Sequence, residues 1–171
     1  IDSLTSFRAK YKDLIIKPLF GNGGAGVFHI GPNDENFYSL LEFFFKTYRE
    51  PVIAQRYESS VREGDKRIIL IDGEPVGALN RIPPDGDSRS NLHIGGRAEK
   101  GVLTGRDKEI CEIIGPHLRD LKLLFVGIDV IGTVITEINV TSPTCLQEIN
   151  RFNHVKLETM IWDSIETKLT G

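Results

Sequence analysis

The amino-acid sequence predicts an α+β protein built on antiparallel sheets. Two hairpins support this prediction, because β-branched segments flank the tight turns Asp72-Gly73 and Gly132-Thr133. The third observation is a set of segments with apolar residues at helical spacing, at 33–49, 104–118 and 157–168. The chain therefore combines hairpins with amphipathic helices.

Composition narrows the possible functions. A hydrophobic fraction of 40% and a charged fraction of 26% are typical of a soluble globular protein. The net charge of −3 argues against general binding to nucleic acid, and no apolar run approaches the roughly 20 residues that span a bilayer. Cys111 and Cys145 lack metal-ligand spacing and indicate a reducing cytoplasm. We expect no nucleic-acid partner, no membrane and a cytoplasmic location.

The first elements form a glycine-rich hairpin. A short apolar strand at 13–18 ends in Lys17 and is stopped by a proline, and a second strand follows at 27–30. Between them, residues 21–26 read GNGGAG, a turn whose backbone N–H groups can approach a phosphate. A flexible turn without a ligand is the alternative. Lys17 favours the phosphate, because a lysine that ends a buried strand is costly unless it meets an anion.

A helix and a strand complete the first lobe. Residues 33–49 predict an amphipathic helix capped by Asn33 or Asp34, and a strand follows at 52–57. The polar connection after residue 57 divides the chain into a small lobe, 1–57, and a larger lobe, 58–171.

The second lobe opens with a hairpin flanked by arginines. Arg67 heads the first strand and Arg81 ends the second, around the turn at 72–73. Residues 82–97 are rich in Pro, Gly, Asp and Ser and carry Arg89 in the middle. A loop of this length is usually functional or disordered. It predicts a lid that closes over a substrate, with a solvated surface loop as the alternative.

The last hairpin carries a candidate metal site. A helix at 104–118 with a capping box precedes strands at 124–131 and 134–140. Glu137 and Asn139 are two residues apart and project from one face, and hairpin pairing brings Asp129 near Glu137. These hard oxygen donors suit Mg²⁺ shared with nucleotide phosphates. A loop acid and a solvated strand face are the alternative interpretation.

Four segments taken together resemble the bacterial glutathione synthetases of the ATP-grasp superfamily. They are KPLFGNGGAGVF at 17–28, GDKRIILIDGEPVGALNRIP at 64–83, RSNLHIGGRAE at 89–99 and FVGIDVIGTVITEINVTSP at 125–143. The resemblance implies an ATP-grasp fold, in which two lobes with antiparallel sheets and flanking helices clasp ATP. It also implies that the family's N-terminal substrate domain is absent here, in line with a chain that opens at Ile1 and is expected to be a fragment.

The resemblance assigns expected roles to individual residues. Arg67, Arg81 and Arg89 match catalytic arginines, and Asp129, Glu137 and Asn139 match metal ligands. Arg81 and Arg89 are also implied to bind substrate, together with Ser142, Pro143 and Thr144. The expected ATP contacts are Lys17, Gly21, Asn22, Gly23, Gly24, Gln55, Arg56, Tyr57 and Asn139.

The implied reaction joins γ-glutamylcysteine and glycine to glutathione, through an acyl phosphate made with ATP and Mg²⁺ or Mn²⁺. The residues fit this chemistry, since phosphoryl transfer needs metals and cations more than a nucleophile. Another ATP-grasp carboxylate–amine ligase and a non-catalytic ATP-binding regulatory module remain alternatives. Family analogy implies a homo-oligomer, and we expect the fragment alone to be inactive.

Overall fold

A computed structural model describes residues 1–21, 23–87 and 89–170. The first lobe contains α1 (Asp2–Tyr11), β1 (Leu14–Pro18), β2 (Phe28–Ile30), α2 (Phe37–Glu42) and β3 (Val52–Arg56). The second contains β4 (Asp65–Ile71), β5 (Glu74–Ile82), β6 (Arg97–Lys100), α3 (Gly105–Asp120), β7 (Phe125–Ile131), β8 (Val134–Asn139), α4 (Leu146–Asn153) and α5 (Leu157–Thr170). Short 3₁₀ turns occupy Ser59–Glu63 and Leu92–Ile94.

The strands form two separate antiparallel sheets. The smaller sheet has three strands in the order β2-β1-β3, and the larger has five in the order β6-β5-β4-β7-β8. Every neighbouring pair in both sheets is antiparallel. The α+β fold with antiparallel sheets is therefore confirmed. The domain boundary after residue 57 stays a prediction, although β3 of the small sheet ends one residue earlier.

The small sheet is covered by aromatic and aliphatic residues of α2. Its core contains Leu14, Ile16, Ile30, Phe37, Leu40, Leu41 and Phe44. The predicted helix over 33–49 begins later, at Phe37, because Asp34 forms a local turn in which its Oδ1 accepts the N–H of Asn36 at 2.8 Å. Beyond Glu42 the helix widens to π geometry over Phe43–Tyr48.

The large sheet is packed on both faces. Ile68 and Leu70 of β4 face α3, whereas Ile69 and Ile71 face α4 and α5. Asp65 and Arg67 share the parity of Ile69, so one face of β4 is apolar at one end and charged at the other. This charged end faces the small lobe and positions the site.

Two predictions for the second lobe had different outcomes. The capping box of α3 is confirmed, since the Thr104 hydroxyl and the Asp107 carboxylate exchange hydrogen bonds with each other's backbone N–H. The prediction of an irregular loop to residue 97 missed the strand that follows. Arg97–Lys100 forms β6 at the edge of the large sheet. Among the helices of the described ranges, none is long and apolar enough to cross a bilayer.

Candidate functional site

A cleft of about 1550 Å³ separates the two sheets. Its walls are β1, β3 and the glycine-rich turn on the small lobe, and the charged end of the large sheet opposite. The lobes also touch directly, because the Gln55 side-chain amide on β3 donates to the Thr136 carbonyl on β8 at 2.9 Å. The large concave space between the lobes is the candidate ligand site.

Strand register builds a buried charge network on the large-lobe wall. Asp65 lies opposite Arg81 across β4 and β5, and Arg67 lies opposite Asp129 across β4 and β7. Arg67 donates to both oxygens of Asp129, with Nε 2.5 Å from Oδ1 and Nη2 2.9 Å from Oδ2. Arg81 Nη2 lies 3.0 Å from Asp129 Oδ2 and 2.6 Å from Asp65 Oδ2. Two arginines and two aspartates therefore neutralise one another at the large-lobe wall of the cleft.

The network shifts the pKa values of Asp129 and Asp65 in opposite directions. Burial opposes ionisation of Asp129, but the hydrogen bonds from Arg67 and the charges of both arginines outweigh it, so its pKa lies below the ordinary value. Burial, reinforced by the charge of Asp129, raises the pKa of Asp65. Asp129, Arg67 and Arg81 are all buried, and of the three only the arginines line the cleft.

The predicted metal ligands converge at the junction of β7 and β8. Asp129 pairs with Glu137, and Gly127 pairs with Asn139, across the two strands. A bulge follows the Asp129–Glu137 pair, so Val130 pairs with Ile135 and the strand direction shifts there. Glu137 and Asn139 both line the cleft.

The local electrostatics and the available oxygen atoms decide whether Glu137 and Asn139 fit a cation. Desolvation by the cleft walls raises the pKa of Glu137, while Lys17 opposes that shift and Asp129 reinforces it. The amide nitrogen of Asn139 is buried and has no partner among the described residues. Within the same residues, no three His, Cys, Asp or Glu side chains are arranged to hold a metal. A divalent ion here would need the Asn139 amide oxygen and ligand oxygens in addition to carboxylates, and hard oxygen donors suit Mg²⁺.

The small-lobe wall carries the predicted phosphate contacts. Lys17, Gly21, Gly23 and Gly24 all line the cleft. Gly23 and Gly24 have φ angles of +70° and +77°, which L side chains rarely adopt. Asn22, also predicted as an ATP contact, lies outside the described residues.

The end of β3 and the residue after it carry the predicted nucleotide contacts. Gln55, Arg56 and Tyr57 line the cleft, as predicted for nucleotide contacts. The Gln55 side chain bridges the lobes, and Arg56 forms an exposed ion pair with Glu58 at 2.9 Å. Tyr57 stacks on His29 with ring centroids 3.9 Å apart. Their roles toward a nucleotide stay predictions.

The remaining predicted residues come from two connecting segments of the large lobe. Ser142, Pro143 and Thr144 lie in the connection between β8 and α4 and line the cleft. Arg89 lines it too, but its guanidinium is held by the Asp87 carboxylate, with Nη2 2.6 Å from Oδ2. Burial slightly disfavours the Arg89 charge, but the hydrogen bond to Asp87 dominates, so the arginine's pKa is raised.

The cleft residues that sequence reasoning missed include Asp65 and Ser90. Ser90 is 3% exposed and its hydroxyl donates to Asp65 Oδ2 at 2.6 Å. A sequence signal existed for Asp65, which is two residues before Arg67 and must share its strand face. No signal existed for Ser90, because its burial depends on how an irregular segment folds back onto the sheet.

Comparisons with known proteins agree on one family. The family described as prokaryotic glutathione synthetase, ATP-grasp domain, matches residues 1–154. Glutathione synthetase from Mesorhizobium japonicum is 58% identical over 165 residues, which are 96% of this chain and 53% of that protein. Glutathione synthetase from Brucella melitensis is 58% identical over 162 residues, with 95% and 52% covered. The chain thus spans about half the length of these relatives.

A solved structure supports the fold independently of sequence. D-alanine–D-alanine ligase from Bacillus anthracis, complexed with ATP, superposes with a TM-score of 0.63. The match covers 93% of this chain and 55% of that one at 20% identity, which is a similarity of fold.

Proposed function

Because the chain belongs to the ATP-grasp domain family of prokaryotic glutathione synthetases, we propose that it is the ATP-binding catalytic portion of an ATP-dependent ligase. In this proposal the ligase joins γ-glutamylcysteine to glycine and releases glutathione, ADP and phosphate. The observation that carries the proposal is the cleft, where Lys17 and the glycine turn face Arg67, Arg81 and Glu137. Such a site offers cations and hydrogen-bond donors to phosphates on both sides.

ATP is proposed to lie across the cleft. The glycine turn and Lys17 would hold its phosphates, with Asn22 as a further contact predicted from sequence. Gln55, Arg56 and Tyr57 would meet the adenine along β3 and the residue after it. The Bacillus anthracis ligase, which shares the fold, forms a complex with ATP, and this supports ATP as the ligand of the proposed site.

Glu137 and Asn139, with Asp129 behind them, are proposed to hold Mg²⁺, with Mn²⁺ as an alternative. The bound ion would neutralise phosphate charge and stabilise the transferring phosphoryl group. Glu137 and Asn139 fit because the carboxylate and amide oxygens that they offer are hard ligands of the kind that Mg²⁺ prefers. The pKa of Asp129 is lowered, so its carboxylate stays ionised, but both oxygens already contact Arg67 and Arg81. A divalent ion would have to compete with these two arginines for it.

The chain's cationic residues would stabilise both transfers. In the first, a carboxylate oxygen of γ-glutamylcysteine bonds to the γ-phosphorus, and the bond to the bridging oxygen breaks as ADP leaves. In the second, the glycine nitrogen, after losing a proton, bonds to the acyl carbon, and phosphate leaves with its oxygen. Arg67 and Arg81 are held rigidly by Asp129, so their charge is preorganised for the anionic transition states.

Substrate positions follow from the same cleft. Ser142, Pro143 and Thr144 would contact γ-glutamylcysteine, and Arg81 and Arg89 would bind its reacting carboxylate. Excluding water is needed because an acyl phosphate hydrolyses when exposed. Arg89 and its neighbours line the cleft and are proposed to exclude water from it.

Features of the whole protein are proposed by family analogy alone. They are an N-terminal substrate domain additional to the lobes at 1–57 and 58–171, assembly into a homo-oligomer and a cytoplasmic location. The fragment is expected to lack activity without that additional domain.

The test is substrate-dependent turnover by the full-length protein. Phosphate and glutathione are measured with ATP and Mg²⁺, with γ-glutamylcysteine or glycine omitted in turn. The proposal expects equal amounts of phosphate and glutathione, and only when both substrates are present. Turnover with another carboxylate or amine would keep the reaction type but change the assigned substrates. ATP binding without any turnover would indicate a regulatory module.

A further inference from the structure

Residues 89–93, here called the bridging strip, lie between the two lobes with alternating side chains. Arg89, Asn91 and His93 lie against the glycine turn of the small lobe. Ser90 and Leu92 lie against the large lobe. Residues 89–91 are irregular and Leu92 and His93 open a 3₁₀ turn, and together these five residues contact both walls of the cleft.

On the small-lobe side, the strip binds the turn's carbonyl groups. His93 Nε2 lies 2.9 Å from the Gly23 carbonyl, and Arg89 Nη1 lies 3.3 Å from the Gly24 carbonyl. A carbonyl only accepts, so His93 Nε2 carries the proton in this contact. The packing is close as well, since a Cβ at Gly23 would be 2.6 Å from His93 Nε2, and one at Gly24 would be 2.6 Å from Asn91 Oδ1.

On the large-lobe side, the strip is anchored more firmly. The buried Ser90 hydroxyl donates to Asp65 Oδ2, which also accepts from Arg81. Leu92 packs against the core cluster that contains Ile69 and Ile149. The buried anchor resists water better than the exposed His93 contact. The strip should therefore stay on the large lobe when the small lobe moves.

We propose that the bridging strip is a latch between the lobes and that His93 is the positioning residue that closes it. In this proposal the glycine turn covers the ATP phosphates and Arg89 covers the reacting carboxylate. Because the strip that carries Arg89 also holds the turn, the two groups are covered in one event. This inference rests on the proposed function for its catalytic meaning, but the mechanical coupling stands on the contacts alone. An exposed neutral hydrogen bond is weak enough to break in every turnover for product release.

Hydrogen exchange in the full-length protein with ATP and Mg²⁺ tests the coupling. His93→Ala should speed exchange about three- to ten-fold at amides of 94–96, which bond within the strip, and also at 23–26, in the other lobe. His93→Gln keeps a side-chain donor and should restore part of the protection. His117→Ala, at an exposed position on α3, is the matched control and should change neither segment.

A second readout uses turnover. His93→Ala should release more phosphate than glutathione, because the acyl phosphate is less protected from water, and it should raise the KM for ATP. Unchanged exchange at 23–26 in His93→Ala would overturn the latch, whatever happens at 94–96. That result differs from a failure of the proposed function, which appears as absent turnover in the wild-type protein while the exchange comparison remains readable.

Discussion

The two walls of the cleft are built by different physical means. On the large lobe, Arg67, Arg81 and Asp129 are each less than 5% exposed and are fixed by direct strand register. On the small lobe, the glycine turn is held through an exposed histidine and a partly buried arginine. The charges of the large-lobe wall are therefore fixed by strand pairing, whereas the glycine turn is held by a few weak hydrogen bonds, as the proposed opening of the cleft requires.

Replacing the carboxylate at the cleft surface should have the largest effect on rate. Glu137→Gln removes a proposed metal ligand without breaking the buried network, so we expect kcat to fall at least about a hundred-fold. The midpoint of urea unfolding should move little, because Glu137 is exposed. Steady-state phosphate release and a urea titration check both parts. A loss of rate of less than a few-fold would remove Glu137 from the metal site.

Replacing the buried Asp129 should lower stability as well as rate. Asp129→Asn also removes a proposed ligand, but it leaves the Arg67 and Arg81 charges buried without their main partner. We expect the free energy of unfolding to fall by about 3–5 kcal/mol in addition to the loss of rate. Equal stability of Asp129→Asn and Glu137→Gln would contradict the distinction between a buried and an exposed member of the pair.

The pH dependence of stability should report the same network. A carboxylate whose folded pKa is lowered contributes stability that is present above its unfolded pKa, about 3.9, and is lost as the pH falls through the folded pKa. The difference in unfolding free energy between wild type and Asp129→Asn should therefore be constant from pH 7 to about 5 and shrink below about 4. A difference that grows on acidification would have the wrong sign for this account.

The small-lobe wall can be tested with two glycines of similar conformation. Gly24 and Gly86 have φ angles of +77° and +80°, so alanine is strained at both. A Cβ at Gly24 would meet the bridging strip, whereas one at Gly86 would have no atom of the described residues within 4 Å. Gly24→Ala should raise the KM for ATP several-fold more than Gly86→Ala does. Equal KM values would mean that the contact between turn and strip has no part in nucleotide binding.

A substitution remote from both walls should have the smallest effect. Thr104→Ala removes the cap of α3 and should lower the free energy of unfolding by about 1 kcal/mol. Because α3 packs on the face of the sheet away from the charged residues, kcat should stay within two-fold of wild type. A larger change in kcat would show that the large-lobe wall is less rigid than its burial indicates.

The sequence predicted best what depends on local pattern. Alternation placed Glu137 and Asn139 on one face, turn residues located both hairpins, and the capping box located α3. The pairing of Asp129 with two arginines was not predictable from spacing, because it depends on the register of β4 between two partners. Strand β6 was missed because Arg97–Lys100 carries no apolar alternation and is fixed by pairing with β5.

The cleft is proposed to activate a carboxylate with ATP, and an oxygen label can follow that carboxylate into the released phosphate. γ-Glutamylcysteine labelled with ¹⁸O in its cysteinyl carboxyl group is turned over with ATP and glycine by the full-length protein, and the released phosphate is analysed by mass. An acyl phosphate transfers one labelled oxygen to each phosphate, which is the result this account predicts. Unlabelled phosphate accompanying glutathione formation would contradict it, because the carboxylate would not have attacked phosphorus.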